Sequence, residues 1–275
     1  MAEIDARAAR RRFDRAAPTY LAAARLETEV GTRMLERLDY VRAAPARILD
    51  AGCGPAPQAA ALRRRYPAAR LVALDFSLPM LARARAALGW AARLCGSAPL
   101  GVCAALERLP LAAGSVQLVW SNMALHWAAD APAALAEFRR VLAPEGLLML
   151  STLGPDTLKE LRAAAGAARV HRFADMHDLG DALLAAGFSA PVVDMELLTL
   201  QYADAGALLA DLRASGQALA RTDRPRGLAG RALRAALQRS GSAATYEVVY
   251  GHAWKGVPRK TADGRSIVQM NQLPR

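Results

Sequence analysis

Residues 48–56 read Ile-Leu-Asp-Ala-Gly-Cys-Gly-Pro-Ala, and no other segment constrains the fold of this chain so tightly. An apolar pair leads into Asp50, Gly52 and Gly54 follow one residue apart, and Gln58 to Tyr66 is a helix-forming run. That is the layout of a first strand, a glycine turn and a first helix in a nucleotide-binding α/β unit. Glycine has no Cβ, so the backbone can turn tightly there and let a ligand lie against it. A second run, Arg70-Leu-Val-Ala-Leu-Asp75, ends in a carboxylate 21 residues after Gly54, about where such folds hold ribose hydroxyls.

A dinucleotide fingerprint would extend to a third glycine and seat a pyrophosphate on the helix N-terminus. Here position 57 is Pro and the motif reads Asp-x-Gly-x-Gly-x-Ala. This resembles the first motif of the class I S-adenosylmethionine-dependent methyltransferases, with Ala56 where the third glycine usually stands. A cofactor without phosphates needs no full anion cradle, so the stretch from Pro55 to Pro57 is compatible with it. The resemblance implies S-adenosylmethionine at Asp50, Gly52, Gly54 and Asp75. The competing reading is a glycine turn that binds nothing.

A chain of 275 residues, 53% hydrophobic, can bury one full α/β core with additions. No apolar run approaches a membrane span. The start, Met-Ala-Glu-Ile-Asp-Ala-Arg, has no apolar signal core, so a soluble, unexported, cytoplasmic protein is expected. Its Arg-rich amphipathic character would suit a mitochondrial presequence, against which Glu3, Asp5 and Asp14 argue. Cys53, Cys95 and Cys103 have neither disulfide-framework nor zinc spacing, and Cys53 reads as a small apolar filler. The net charge of +11 invites a nucleic-acid reading. However, lysine occurs only at 159, 255 and 260, so the other 33 of the 36 basic residues are arginine, spread over faces with no motif. No aromatic-interleaved basic stripe is present. The charge instead favours an acidic macromolecular partner through long-range attraction.

The order of elements predicts an α/β, Rossmann-like fold: a mostly parallel seven-stranded sheet with an antiparallel final strand, plus helical lid segments. Residues 7–39 read as helical with a break near Pro18. Strands are expected at 48–50, 70–75, 101–103, 116–120, 147–151, 192–200 and 245–254. Helices are expected at 57–66, 77–88 (capped by Ser77), 130–142 and 178–186. Residues 91–115 read as otherwise irregular, and Pro144-Glu-Gly146 as a turn feeding the fifth strand. Residues 1–42 form a lid, 43–255 the main domain with a helical insertion at 203–240, and 256–275 a loose tail.

Further segments sharpen the resemblance. Phe13-Asp-Arg-Ala-Ala-Pro-Thr-Tyr20, Leu109-Pro-Leu111, Trp120-Ser-Asn-Met-Ala-Leu-His-Trp127, the run from His171-Arg-Phe to Asp181, and Thr245 to Trp254 are similar to the malonyl-acyl-carrier-protein O-methyltransferases of biotin synthesis, the BioC family. The likeness runs from about residue 11 to 255. It implies methyl transfer to the free carboxylate of a malonyl thioester on acyl carrier protein, an acidic substrate, by a monomer with no nucleic-acid or membrane partner. Within that resemblance Arg172 is the candidate to hold the malonyl group, because a guanidinium offers a planar fork to a carboxylate. The bland alternative is one more surface arginine. Tyr20 is placed to close over the cofactor, or to make an ordinary amphipathic contact. His126 and Trp127 follow the fourth strand, where the reacting methyl should lie; for Trp127 simple packing is preferred. Asn122 is a candidate cofactor contact that could equally fix a turn or cap helix 130–142. The backbone around Leu106 would hold the adenine.

Three positions depart from the family pattern. Ala105 stands where an acid usually accepts from the adenine amine, a loss worth about 1–3 kcal/mol. Gln117 replaces an Asp, and Ala56 a glycine. These keep other readings open: a non-catalytic or hydroxylating assembly factor on the same fold, or a methyltransferase for another small acid or RNA. Arg172 beside Phe173 favours the carboxylate methyltransferase, and the base-amine signature for RNA is missing.

Overall fold

The computed structural model describes residues 4–87, 100–225 and 242–256. Seven strands form one sheet: β1 (Arg47–Ala51), β2 (Arg70–Asp75), β3 (Leu100–Cys103), β4 (Val116–Ser121), β5 (Leu142–Leu153), β6 (Ser189–Gln201) and β7 (Ala243–Trp254). The order is β3-β2-β1-β4-β5-β7-β6. Strands β1 to β5 pair in parallel, and β7 runs antiparallel to both β5 and β6. This is the expected doubly wound sheet with its antiparallel finish.

Alternation along the strands sends successive side chains to opposite faces, and both faces are apolar because both are covered. Ile48, Leu118, Leu147 and Met149 meet Leu26, Val30 and Met34 of α3 (Arg25–Arg37) and Leu62 of α4 (Ala59–Arg65). Leu49, Val119, Leu148 and Leu150 meet α6 (Ala131–Val141) and α8 (Met176–Ala185). Asp130, not Asn122, caps α6, its Oδ1 accepting from Ala133 N at 2.9 Å. Helix α5 (Leu78–Ala87) opens as expected at Ser77, whose Oγ accepts from Met80 N at 3.4 Å.

The expected turn at 144–146 is absorbed into β5, which starts at Leu142 rather than Leu147. The ladder survives because Glu145 takes a φ of 61° and the register to β4 shifts between Val116 and Leu118. A short helix, α7 (Lys159–Ala165), was not anticipated. The expectations for residues 91–99, 226–241 and the tail from 257 lie outside the described residues.

Helices α1 (Ala6–Ala16) and α2 (Tyr20–Ala23) with α3 give the expected N-terminal helical segment. Asp5 N donates to Ala220 O at 2.7 Å, Ile4 bridges Arg221, and Thr19 Oγ1 donates to Ala214 O at 2.8 Å. Ala214 ends α9 (Ala205–Ala214), so the N-terminal helices and the 203–225 part of the insertion fasten to each other.

Candidate active site

A cleft opens where β1, β2 and β4 end, the usual ligand position in open α/β sheets. Gly52, Gly54, Asp75, Ala105, Leu106 and Asn122 line it, with Phe13 and Tyr20 from the N-terminal helices and Trp127 opposite. A larger, more open groove beside α4 and α5 holds none of the expected site residues.

The glycines serve distinct ends. Both have positive φ, 77° at Gly52 and 53° at Gly54. A Cβ on Gly52 would lie 2.2 Å from that of Ala124, whereas one on Gly54 would point toward the Tyr20 ring at 3.8 Å. The first glycine allows close packing and the second leaves the face opposite Tyr20 open. Ala56 also has positive φ, 55°, which is the physical reason a glycine suits that position.

Asp75 is buried, and its two oxygens accept from Gly54 N at 2.8 Å and Ser77 N at 2.7 Å. Burial raises its pKa to about 6 against those bonds. Asp50 is 2% exposed, and its Oδ2 has no partner among the described residues. Burial, then the Asp75 charge, push Asp50 to about 8. Cys53 is buried between these acids with its thiol pKa pushed up, chiefly by burial, so it is a filler and not a nucleophile.

Trp127 lines the other wall, and His126, His171 and Phe173 pack behind it without lining the cleft. Trp127 meets Phe13 edge-on at 5.0 Å between centroids and His171 at 4.9 Å. His126 stands beside Trp127 and meets Phe173 edge-on at 5.6 Å. His126 Nδ1 lies 3.3 Å from Thr152 Oγ1, while its buried Nε2 has no partner. His171 Nε2 accepts from Ala220 N at 3.1 Å, so its proton is on Nδ1. Burial drops His126 to about 3, helped by His171, and drops His171 to about 4. Both rings are neutral at pH 7.

Asn122 lines the cleft with its amide already engaged: Nδ2 donates to Glu27 O at 2.8 Å and Oδ1 accepts from Ser151 Oγ at 2.8 Å. It ties the end of β4 to α3 and β5. Gln58 reaches the same Glu27 carbonyl, at 3.4 Å. Glu27 itself was missed in the sequence; it is buried, and burial raises its pKa to about 7. Its only signal was a place between Leu26 and Val30 on an apolar helix face.

Arg172 does not line the cleft. Its side chain is 61% exposed and 3.8 Å from Asp223, between His171 and Phe173 in sequence. Asp223 is held mainly by the buried Arg221, at 2.5 Å. Ala105 does face the cleft, where an acid would meet a bound ligand. Gln117 lies at the opposite end of β4, its Oε1 accepting from Arg47 N at 2.9 Å, so that departure costs the cleft nothing.

Residues 49–150 match the family model described as a methyltransferase domain. The malonyl-acyl-carrier protein O-methyltransferase of Methylovorus sp. (strain MP688) is 52% identical over 97% of this chain and 95% of its own length. That of Gallionella capsiferriformans (strain ES-2) is 49% identical over 97% and 96%. Among solved structures, the YcgJ protein of Bacillus subtilis superposes with a TM-score of 0.60 at 18% identity, over 83% of this chain and 99% of that one, a likeness of fold.

Proposed function

The chain belongs to the malonyl-acyl-carrier-protein O-methyltransferase family, and from that premise we propose that it methylates the free carboxylate of malonyl-acyl-carrier protein with S-adenosylmethionine, giving the ester that primes biotin synthesis. The cleft fits this cofactor on two counts. The positive-φ glycine turn leaves an open face opposite Tyr20, and the unpartnered Asp50 Oδ2 is a buried polar atom with hydrogen-bonding capacity left for a ligand. Asp50, Gly52, Gly54 and Tyr20 would hold the methionine side, Asp75 the ribose, and Leu106 the adenine, with Asn122 keeping that wall in place. When bound, the cofactor supplies an electrophilic methyl on a sulfonium that needs no acid to leave.

The observation that carries this reading is the state of the aromatic wall. His126 and His171, packed behind Trp127, are both neutral, so no ionised base stands behind that wall. A malonyl carboxylate is ionised at pH 7 and has no proton to remove. The protein has only to align the nucleophilic oxygen and keep water from it. In this reading His126, whose ring meets Phe173 edge-on, and Arg172, which precedes Phe173 in the chain, position the malonyl group. A grip on one oxygen leaves the other free to react. Residues 1–42 and the 203–240 insertion act together as the lid over the 43–255 domain, and the tail from 256 takes no part. Its macromolecular partner is the carrier protein rather than nucleic acid or membrane, and it works as a cytoplasmic monomer.

Purified protein with methyl-labelled S-adenosylmethionine should label malonyl-acyl-carrier protein as a base-labile ester, and malonyl-CoA more slowly. No label in either substrate would overturn the assignment.

A further inference from the structure

Helix α1 carries five arginines in eleven residues, Ala-Arg-Ala-Ala-Arg-Arg-Arg-Phe-Asp-Arg-Ala. Its inner face, Ala8, Ala9, Phe13 and Ala16, is buried, and Ala6 and Phe13 reach the cleft. Arg7, Arg10, Arg11 and Arg15 are exposed on the outer face. None of the four makes a hydrogen bond or ion pair among the described residues. The one acid in the helix, Asp14, is taken by Ser77 Oγ at 2.6 Å.

Other basic segments are neutralised or stand elsewhere. Arg65 of α4 pairs with Asp39, Arg140 of α6 with Glu137, and Arg33 and Arg37 of α3 with Glu196 and Asp194. Helix α1 is thus an unneutralised cationic ridge forming one wall of the candidate active site. The ridge continues inward to Arg12, whose pKa is lowered by burial and then by Arg224, with Asp5 opposing and Arg11 and Arg15 adding to the effect. Five arginines against the nearby Asp5 and Asp14 leave an excess of positive charge, which raises the local potential and favours an anionic surface laid across it.

We propose that this outer face of α1, Arg7, Arg10, Arg11 and Arg15, is where the acidic carrier protein docks. The inference rests on the function proposed above and adds the surface that delivers the substrate. A carrier seated there lies on the lid itself, so its thioester arm enters past Phe13 while the arginines act through long-range attraction and a polar rim.

The test compares wild-type protein with an Arg7→Glu/Arg11→Glu/Arg15→Glu variant on two substrates. One is malonyl-acyl-carrier protein; the other is malonyl-pantetheine, which has the same thioester without a protein body or phosphate. The variant should raise KM for the carrier substrate by about tenfold or more and flatten its salt dependence. Turnover of malonyl-pantetheine and affinity for S-adenosylhomocysteine should stay within about twofold, as they draw on no docking contact. The Arg→Gln triple variant should shift KM in the same direction by less, and Arg64→Glu on α4 should shift nothing. Unchanged KM for the carrier in both triple variants, with normal wild-type turnover, overturns the docking assignment alone. Equal losses on both substrates also overturn it, because α1 would then serve only to close the cleft. Failure of wild-type protein on both substrates overturns the function itself, and the docking assignment with it.

Discussion

Gly54 donates its backbone N–H to Oδ2 of Asp75 at 2.8 Å, while Oδ1 of the same carboxylate accepts from Ser77 at 2.7 Å. The acid that ends β2 therefore builds the glycine turn as well as facing the cleft. Asp75→Ala should abolish measurable binding of S-adenosylhomocysteine and also lower Tm. Two buried N–H groups lose their acceptor, at about 1–3 kcal/mol each. Asp75→Asn keeps one acceptor oxygen and should recover much of the stability with little of the affinity. Calorimetry and thermal melts separate the two effects; an unchanged Tm in Asp75→Ala would show the turn does not need the acid.

Ala56 holds a φ of 55° that costs an L-residue about 1–2 kcal/mol. Ala56→Gly relieves that strain but loosens the unfolded chain by about 0.4–1 kcal/mol and deletes a half-buried methyl. The expected net change is a stabilisation of about 0.5 kcal/mol or less. Ala56→Val, β-branched in the same conformation, should lower Tm clearly. If Val is tolerated as well as Gly in chemical denaturation, the loop can leave the left-handed region freely.

Much of this site was legible because local patterns encode it. Gly-x-Gly between a strand and a helix forces the positive-φ turn, and an acid ending the next strand faces it. What the pattern could not show depends on distant segments meeting. Glu27 is buried because the end of β4 is tied to its carbonyl through Asn122, 95 residues away. His171 is neutral because burial, then Arg12 and Arg221, lower its pKa, and Arg221 is itself buried against the carbonyls of Ala167 and Val170. Gln117 looked like a loss from the site, yet it bonds Arg47 at the far end of the strand. A missing acid was legible as a letter, but its consequence depended on which end of β4 it occupied.

The buried acids predict an unusual pH profile. Asp50, Glu27 and Asp75 are raised to about 8, 7 and 6, so the folded protein keeps protons that unfolded carboxyls release near pH 4. The stability they confer is full below about pH 4 and is lost as pH rises through the folded values. His126 and His171 act oppositely: lowered to about 3 and 4, they add stability as pH rises toward about 6.5 and nothing beyond it. Above about pH 6.5 the carboxyl effect leads, joined near pH 8.5 by the buried Cys53 thiol in the same direction, and Tm of the ligand-free protein should fall toward pH 8.5. Asp50→Asn should flatten that fall. Scanning calorimetry in matched buffers checks it, and a Tm that rises over this range would contradict the protonated state of Asp50.

Ala105 faces the cleft, at the position where the family resemblance leads one to expect an acid. Ala105→Asp should tighten S-adenosylhomocysteine binding by about 1.5–3 kcal/mol, the value of one charged hydrogen bond. Unchanged affinity by calorimetry would mean another group, backbone near Leu106 included, already serves the adenine amine.

Arg172 has the geometry of a side chain held loosely in reserve. It stands 3.8 Å from Asp223, yet the fully buried Arg221 already binds both oxygens of that acid, at 2.8 and 2.5 Å. With 61% of its side chain exposed, the Arg172 contact is worth at most about 1 kcal/mol, so little opposes its turning toward a substrate carboxylate. Arg172→Ala should lower kcat/KM for malonyl-acyl-carrier protein by about a hundredfold, the scale of one or two charged hydrogen bonds. Affinity for S-adenosylhomocysteine and Tm should hardly move, because neither the cleft lining nor the Arg221–Asp223 pair is disturbed. Arg172→Lys should restore only part of the rate, since a point charge does not reproduce the planar fork. The loss should appear with malonyl-pantetheine too, which separates a grip on the malonyl group from docking of the carrier. Wild-type rates in Arg172→Ala would make it one surface arginine among many and move the carboxylate grip to His126 or to the half-buried Arg12.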